Sequence, residues 1–227
     1  MNEFIETSWD SDYRNGKYAS DGPIPFVDTI IEHVTNGPES LHGLYIGCGN
    51  GRNYIPLVKA GLQLDGLDIS SVGLNQLEEQ LPANPNKLIH EDFLSYNPDE
   101  QFDYVVSIQI FQHGDKKKVE QYFSKVDTLL KPGGLFFLRV NSVNTDIFFK
   151  HQVKEKTPDG GMTITYEDGP KKGLDVHFFS SQEIDSLVFG GFKRLKPIEE
   201  VFMNRSPEKK GKWAQFEGVW QKAEQDN

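Results

Sequence analysis

Three glycines fall within five positions of the segment LYIGCGNGRN, residues 44–53, directly behind a short apolar run. Glycine suits a backbone that must bend left-handed or approach another group closely. Gly47, Gly49 and Gly51 are spaced G-x-G-x-G, one residue tighter than the G-x-G-x-x-G that seats a pyrophosphate on a helix N-terminus. Asp68 ends a second apolar run, LDGLDIS, 17 residues beyond Gly51. An acidic side chain about 20 residues past such a turn is placed to meet a ribose diol. A second reading makes Asp68 the cap of the helix that Ser70 and Ser71 open. HEDF, residues 90–93, closes a third run. A carboxylate (Asp92) beside an aromatic ring (Phe93) suits an adenine, whose exocyclic amine donates and whose face stacks. The alternative is that Asp92 caps a turn and Phe93 joins the core. His113 lies just past a fourth apolar run and is the best-placed histidine for a general base, with His177 second. Cys48, the single cysteine, sits between glycines and is not expected to act as a nucleophile. The six histidines are scattered without metal-ligand spacing, so no metal site is expected.

These residues need strands and helices to hold them. Short apolar runs recur at Leu44–Ile46, Leu64–Leu67, Leu88–Ile89, Tyr104–Ile108 and Leu135–Val140. Several are continuously apolar, as strands covered on both faces are. Helical segments lie between them, the clearest from Lys117 to Leu130 with Val119, Tyr122, Phe123, Val126, Leu129 and Leu130 on one face. KPGG at 131–134 stops that helix. The alternation predicts an α/β fold: one doubly wound, mostly parallel, seven-stranded Rossmann-like sheet with right-handed crossovers. After Asn141 the rhythm breaks, and polar residues rich in Gly, Lys and turn signals run to about His177. GMTITYEDGP is expected to supply a short hairpin strand there. A helix-like stretch at Ser180–Phe189 and apolar segments at Leu195–Phe202 and Trp213–Trp220 then predict an antiparallel C-terminal edge strand.

A chain of 227 residues fits a single domain, 1–227. Its expected parts are an N-terminal cap or lid with the first helix (1–40), a core carrying the chemistry (41–141), an insertion (142–177), and a C-terminal helix with edge strands (178–227). Residues 1 to about 22, with Trp9, Tyr13 and Tyr18 as large anchors, precede that first helix and are too polar to order alone. The net charge of −10 argues against broad contact with nucleic acid or anionic lipid. Local basic runs at Lys116–Lys118 and at Lys209 and Lys210 read as a solvated helix face and a loop. No apolar stretch approaches the ~20 residues that span a bilayer. With one cysteine and no secretory signal, a cytoplasmic location is expected.

LYIGCGNGRN, GLDIS, HEDF, FDYVVSIQIFQH and LLKPGGLFFLRV, taken in order over about residues 41–141, resemble the motifs of class I S-adenosylmethionine-dependent methyltransferases. The resemblance implies S-adenosylmethionine as cofactor. Gly47, Cys48, Gly49 and Gly51 would line its methionine part, and Asp68, with Ile69 beside it, would take the ribose hydroxyls. Asp92 and Phe93 would hold the adenine, and Gln109 would lie under the sulfonium. One departure is Tyr45, where the family usually carries an acid two residues before the first glycine. SWDSDYRNGKY, GCGNGRN and VHFFSSQEI are similar to the small-molecule branch that includes tellurite and thiopurine methyltransferases, in which an N-terminal segment folds over the cofactor. This makes Trp9, Tyr13, Arg52 and Asn53 candidates for the methionine end. The residues 142–177 would then cover the acceptor pocket.

In-line methyl transfer from a sulfonium asks for positioning and exclusion of water, worth up to ~7–11 kcal/mol. A hydroxyl acceptor also gains from a general base, typically ~10²–10⁴-fold. The expected partner is a small-molecule acceptor, with neither nucleic acid nor membrane, and the chain is expected to be a monomer or homodimer. Two further hypotheses are a nicotinamide-dependent oxidoreductase, for which neither the longer glycine spacing nor a catalytic dyad is present, and a non-catalytic S-adenosylmethionine-binding protein.

Overall fold

Leu44, Tyr45 and Ile46 are buried, as a strand covered on both faces requires. They belong to β1 (His42–Ile46), which pairs in parallel with β2 (Gln63–Asp68), from His42 opposite Gln63 to Ile46 opposite Leu67. β2 pairs in parallel with β3 (Leu88–His90), so Asp68 lies opposite His90. β4 (Phe102–Ile108) and β5 (Leu130–Asn141) complete the parallel set in the order β3-β2-β1-β4-β5. The order reverses beside β1, where ligands of open α/β sheets bind beyond the carboxyl ends of the strands. This computed structural model describes residues 3–188, 191–204 and 211–224. Lys209 and Lys210 lie outside them, as does Phe189, the expected end of the late helix.

The chain divides into two units, Met1–Val106 with Leu129–Gly134, and Ser107–Thr128 with Leu135–Asn227. In the first, α3 (Tyr54–Lys59) and α4 (Ser71–Gln80) join the strands, and α2 (Phe26–Thr35) buries Phe26, Val27, Ile30 and Val34 at helical spacing. α1 (Glu3–Arg14) corrects the expectation that residues 1–22 precede the first helix. Its inward face carries Glu6, Asp10 and Tyr13, spaced i, i+4, i+7, so it is half polar and shows no apolar stripe.

α5 (Lys116–Leu129), in the second unit as far as Thr128, buries the expected Val119, Tyr122, Phe123, Val126 and Leu129. Phe111 stacks on Tyr122 at 5.0 Å, Phe123 meets Phe136 edge-on at 6.0 Å, and Phe136 lies 6.0 Å from Trp220. Such ring pairs add about 0.5–1.5 kcal/mol each beyond their burial. Gly133 turns left-handed at φ +76°, and β5 begins to pair with β11 (Lys212–Lys222) at Leu135. β11 runs antiparallel to β5 and pairs on its other side with β9 (Phe192–Arg194) and β10 (Glu199–Asn204), so three strands build the antiparallel edge.

The segment 142–177 is a folded element rather than a long loop. β6 (His151–Lys156), β7 (Met162–Tyr166) and β8 (Asp175–Phe178) form a separate antiparallel sheet over Ile164, Val176 and Phe178. The expected hairpin strand in GMTITYEDGP is β7. β6, HQVKEK, exposes most of its side chains, so its sequence lacks the apolar alternation that marks a strand. α6 (Ser181–Leu187) follows, capped by Ser180, whose Oγ accepts the Glu183 N–H at 3.0 Å.

Candidate active site

All three turn glycines take left-handed backbone: φ is +73° at Gly47, +53° at Gly49 and +93° at Gly51. They serve different ends. A Cβ at Gly49 would collide with the Tyr13 hydroxyl, and one at Gly51 would press on Ile55 and Leu77 at 2.6 Å. The first lets the Tyr13 ring close onto the turn, and the other seats the following helix. Gly47 N–H donates to the Leu67 carbonyl at 2.7 Å, tying the turn to the end of β2.

Asp68 is the charged centre of this region. Its Oδ2 accepts the Gly49 N–H and its Oδ1 the Ser70 N–H, both at 2.7 Å. The helix cap is Ser70, whose Oγ accepts from Gly73 N–H at 3.0 Å, so the capping role belongs to Ser70 and not to Asp68. Burial pushes the Asp68 carboxyl up to about 6, against the lowering effect of those N–H donors. Each oxygen keeps a further lone pair, which suits the two hydroxyls of a ribose.

α1 crosses three successive strand ends. Glu6 pairs with His90 at the end of β3 at 3.3 Å. Asp10 Oδ1 accepts from Ser70 Oγ at 2.6 Å and from Val72 N–H at 3.3 Å, at the start of α4. Tyr13 lies over Gly49 and Gly73, and Gln76 Nε2 donates to its carbonyl at 3.2 Å. Burial first, then Asp68, hold the Tyr13 phenol well above its usual range. Trp9 sits 6.3 Å from the Tyr13 ring, with Lys17 Nζ 4.6 Å over its face. Sequence reasoning passed over Glu6 and Asp10; their spacing with Tyr13 on one helical face was the available sign.

Arg52 and Asn53 turn toward the segment before α2. Arg52 Nε donates to the Gly22 carbonyl at 2.7 Å, and its guanidinium lies 5.5 Å over Tyr18. Asn53 Oδ1 accepts the Ile24 N–H at 3.1 Å. Tyr45, which stands where the family usually carries an acid, is buried. Cys48 is buried, and desolvation raises its thiol well above the usual range. Ile69 lends its carbonyl to His90 Nε2 at 2.9 Å. Asp92 Oδ1 accepts the Leu94 N–H at 2.9 Å and Phe93 is buried, the turn-and-core arrangement weighed for HEDF.

Gln109 and His113 belong to the other unit. Gln109 is one of three described non-glycine residues at positive φ, +62°, and its N–H donates to the Arg139 carbonyl at 2.8 Å. A strained side-chain-bearing residue at a strand end is a mark of function. His113 bridges to Val176, and its carbonyl accepts the Tyr122 hydroxyl at 3.1 Å. His177 is fully buried between Thr163 and Glu183, which removes it as a general base.

Residues 44–136 match the family described as "Methyltransferase domain". Among curated proteins, the chain is 23% identical over 193 residues to a probable thiol methyltransferase 2 of Arabidopsis thaliana, covering 77% of this chain and 84% of that one. It is 24% identical over 188 residues to mouse tRNA N(3)-cytidine methyltransferase METTL2, covering 78% of this chain but only 46% of that protein. Among solved structures, Burkholderia thailandensis 1,6-didemethyltoxoflavin-N1-methyltransferase, with 1,6-didemethyltoxoflavin and S-adenosylhomocysteine bound, superposes with a TM-score of 0.69 over 98% of this chain and 88% of that one, at 14% identity. The glycine turn, the buried Asp68 and the β3-β2-β1-β4-β5 sheet agree with that match: residues 44–136 carry a methyltransferase domain of the S-adenosylmethionine-dependent kind.

Proposed function

We propose that the chain methylates a small-molecule nucleophile, at sulfur, nitrogen or oxygen, and that Asp68 anchors the ribose of the donor. The observation that carries the reading is the Asp68 carboxylate, fixed by two main-chain N–H groups at 2.7 Å with lone pairs to spare. When bound, S-adenosylmethionine supplies a methyl group already activated on a sulfonium. The chain's residues hold, orient and exclude water. Gly47, Cys48, Gly49 and Gly51 present main chain to the methionine part. Trp9 and Tyr13 cover it from α1, while Arg52 and Asn53 act through the segment 21–24 that they grip. Ile69 lies beside Asp68 at the ribose, and Asp92 and Phe93 are assigned to the adenine; to Gln109, in the other unit, falls the methyl group. His113 takes the proton when the acceptor is a hydroxyl.

Support for a small acceptor comes from charge and from relatives. A net charge of −10 disfavours a polyanion, whose binding rests on cationic contacts. The relative named for thiol methylation is matched over 84% of its length, the one named for tRNA over 46%. Calorimetry with S-adenosylhomocysteine and with NAD tests the donor: tight binding of the first and none of the second is expected, and the reverse overturns the reading. A screen with methyl-labelled donor, offering hydrosulfide, small thiols, amines, phenols and bulk tRNA, tests the acceptor. Label on tRNA alone, with a steep loss of rate as salt rises, would overturn the small-molecule assignment. Binding without transfer to any of them would mark a cofactor-binding protein.

A further inference from the structure

Gln109 is left-handed without being a glycine, so the turn after β4 must be held by what surrounds it. Three residues on, Gln112 is 3% exposed and is used at both of its carbonyls. Its Oε1 accepts the N–H of Asn141 at the end of β5, at 2.9 Å. Its main-chain oxygen accepts the N–H of His177 in β8, at 2.8 Å. On either side of it, Gln109 N–H is held by Arg139, His113 bridges to Val176, and Gly114 N–H donates to the Asp175 carbonyl at 3.1 Å.

The β8 side of this grip is itself anchored. The His177 ring, fully buried, has Nδ1 2.8 Å from Thr163 Oγ1 in β7 and Nε2 2.9 Å from Glu183 Oε2 in α6. Thr163 Oγ1 also donates to Glu155 Oε1 of β6 at 3.0 Å, and that oxygen accepts the Lys116 N–H at 2.8 Å. Every strand of the insertion therefore contributes to a polar network that ends on the turn 109–114. Gln112 joins β5 to β8 by one hydrogen bond to each.

We propose that Gln112 is a positioning residue for methyl transfer, and that the three-stranded insertion braces, through it, the turn carrying Gln109 and His113. The proposal rests on the role given to that turn above. A glutamine side chain presents the same amide carbonyl as the backbone, so it stands in for a missing strand partner of Asn141. Without it the Asn141 N–H loses its acceptor in a buried place, and the turn gives way instead.

The test compares Gln112→Met, which keeps length and volume but has no comparable acceptor, with Gln112→Glu, which keeps an oxygen there. In Gln112→Met, amide hydrogen exchange at residues 109–113 and 141 should quicken about tenfold or more, the loss of one buried hydrogen bond. Turnover should fall by about tenfold while S-adenosylhomocysteine affinity stays within about threefold, the pattern of lost orientation rather than lost binding. Gln112→Glu should recover most of both. Thr163→Val, which loosens His177 from the far side, should quicken exchange at 109–113 in the same direction and serves if Gln112→Met does not fold. Unchanged exchange at 109–113 in the folded variants, or a loss of S-adenosylhomocysteine affinity as large as the loss of turnover, overturns the proposal. Failure of the wild-type chain to bind S-adenosylhomocysteine would instead overturn the functional reading, since the exchange measurement needs no donor.

Discussion

The turn after β1 and the turn after β4 both leave their strands through left-handed backbone, and they do so by opposite means. The first spends three glycines at φ +73°, +53° and +93°, where the missing side chain removes the steric cost. Its main polar partner, Asp68, is 19 residues from Gly49. The second keeps the side chain of Gln109 at +62° and is held by Arg139, Asn141 and His177 from β5 and β8. Where main-chain N–H groups are turned inward onto Leu67 and Asp68 and another helix closes over the turn, a bare backbone suffices. Where a side chain must stand at the turn, strain is accepted and tertiary contacts hold it.

The harshest way to break the first turn is Gly49→Ala. A methyl group there meets the Tyr13 hydroxyl and sits at φ +53°. A stability loss of about 2–4 kcal/mol is expected, together with loss of measurable S-adenosylhomocysteine binding, by thermal unfolding and calorimetry. Retained binding would mean the turn tolerates a side chain as the second one does.

Asp68→Asn should separate binding from stability. Affinity for S-adenosylhomocysteine should fall about tenfold or more at pH 7, because charged hydrogen bonds of ~1.5–3 kcal/mol are lost. The apo protein should change little in stability at that pH, because Nδ2 cannot accept and one main-chain N–H loses its partner, which offsets the relief of the buried charge. Its folded carboxyl titrates at about 6, above the usual 3.8, so folding gains from this group below pH 3.8 and loses that gain as pH rises through about 6. The cost of keeping it ionised at neutral pH is roughly 2–3 kcal/mol. Donor affinity in the wild type should accordingly decline as pH falls below 6. Calorimetry at pH 5 and 7, with urea unfolding of both proteins, reads both effects; a flat affinity in that window would leave Asp68 a structural tie.

Ser70→Ala removes the α4 cap and the partner of Asp10 together. A loss of about 1–2 kcal/mol in urea unfolding is expected, with faster dissociation of S-adenosylhomocysteine in stopped-flow. Gln109→Gly should have the smallest effect on stability and the opposite sign, a gain of up to about 1 kcal/mol from relieved strain. Turnover should drop alongside it. A stabilised variant with full turnover would show that the second turn needs no side chain.

The two turns also differed in how far the chain itself disclosed them. G-x-G-x-G, the acid 17 residues on, and the continuously apolar strands marked the first turn and the parallel sheet, because each depends on residues close in sequence. The face of α5 was equally plain. Nothing local announced that Gln112 would meet Asn141 and His177, since those contacts join segments 29 and 65 residues away. The polar β6 and the half-polar inner face of α1 escaped for a related reason. Their buried or paired groups are held by hydrogen bonds and ion pairs, and periodicity in apolar residues does not record these. Arg52 and Asn53 stood out in the sequence only as neighbours of the glycine turn, and their hold on Gly22 and Ile24 is visible only in three dimensions.

Cys48 lies within the glycine turn, next to Gly66, where an added Cβ would stand 2.9 Å from its sulfur. A soft nucleophile in such a place would be a hazard to a catalyst that handles an electrophilic methyl donor, because it could alkylate itself. Burial holds the sulfur as an uncharged thiol, and only the thiolate attacks carbon readily. The same seclusion shields the chain's lone sulfhydryl from peroxide and from mixed disulfides. The packing of one small side chain against a glycine therefore protects the catalyst from its own reagent.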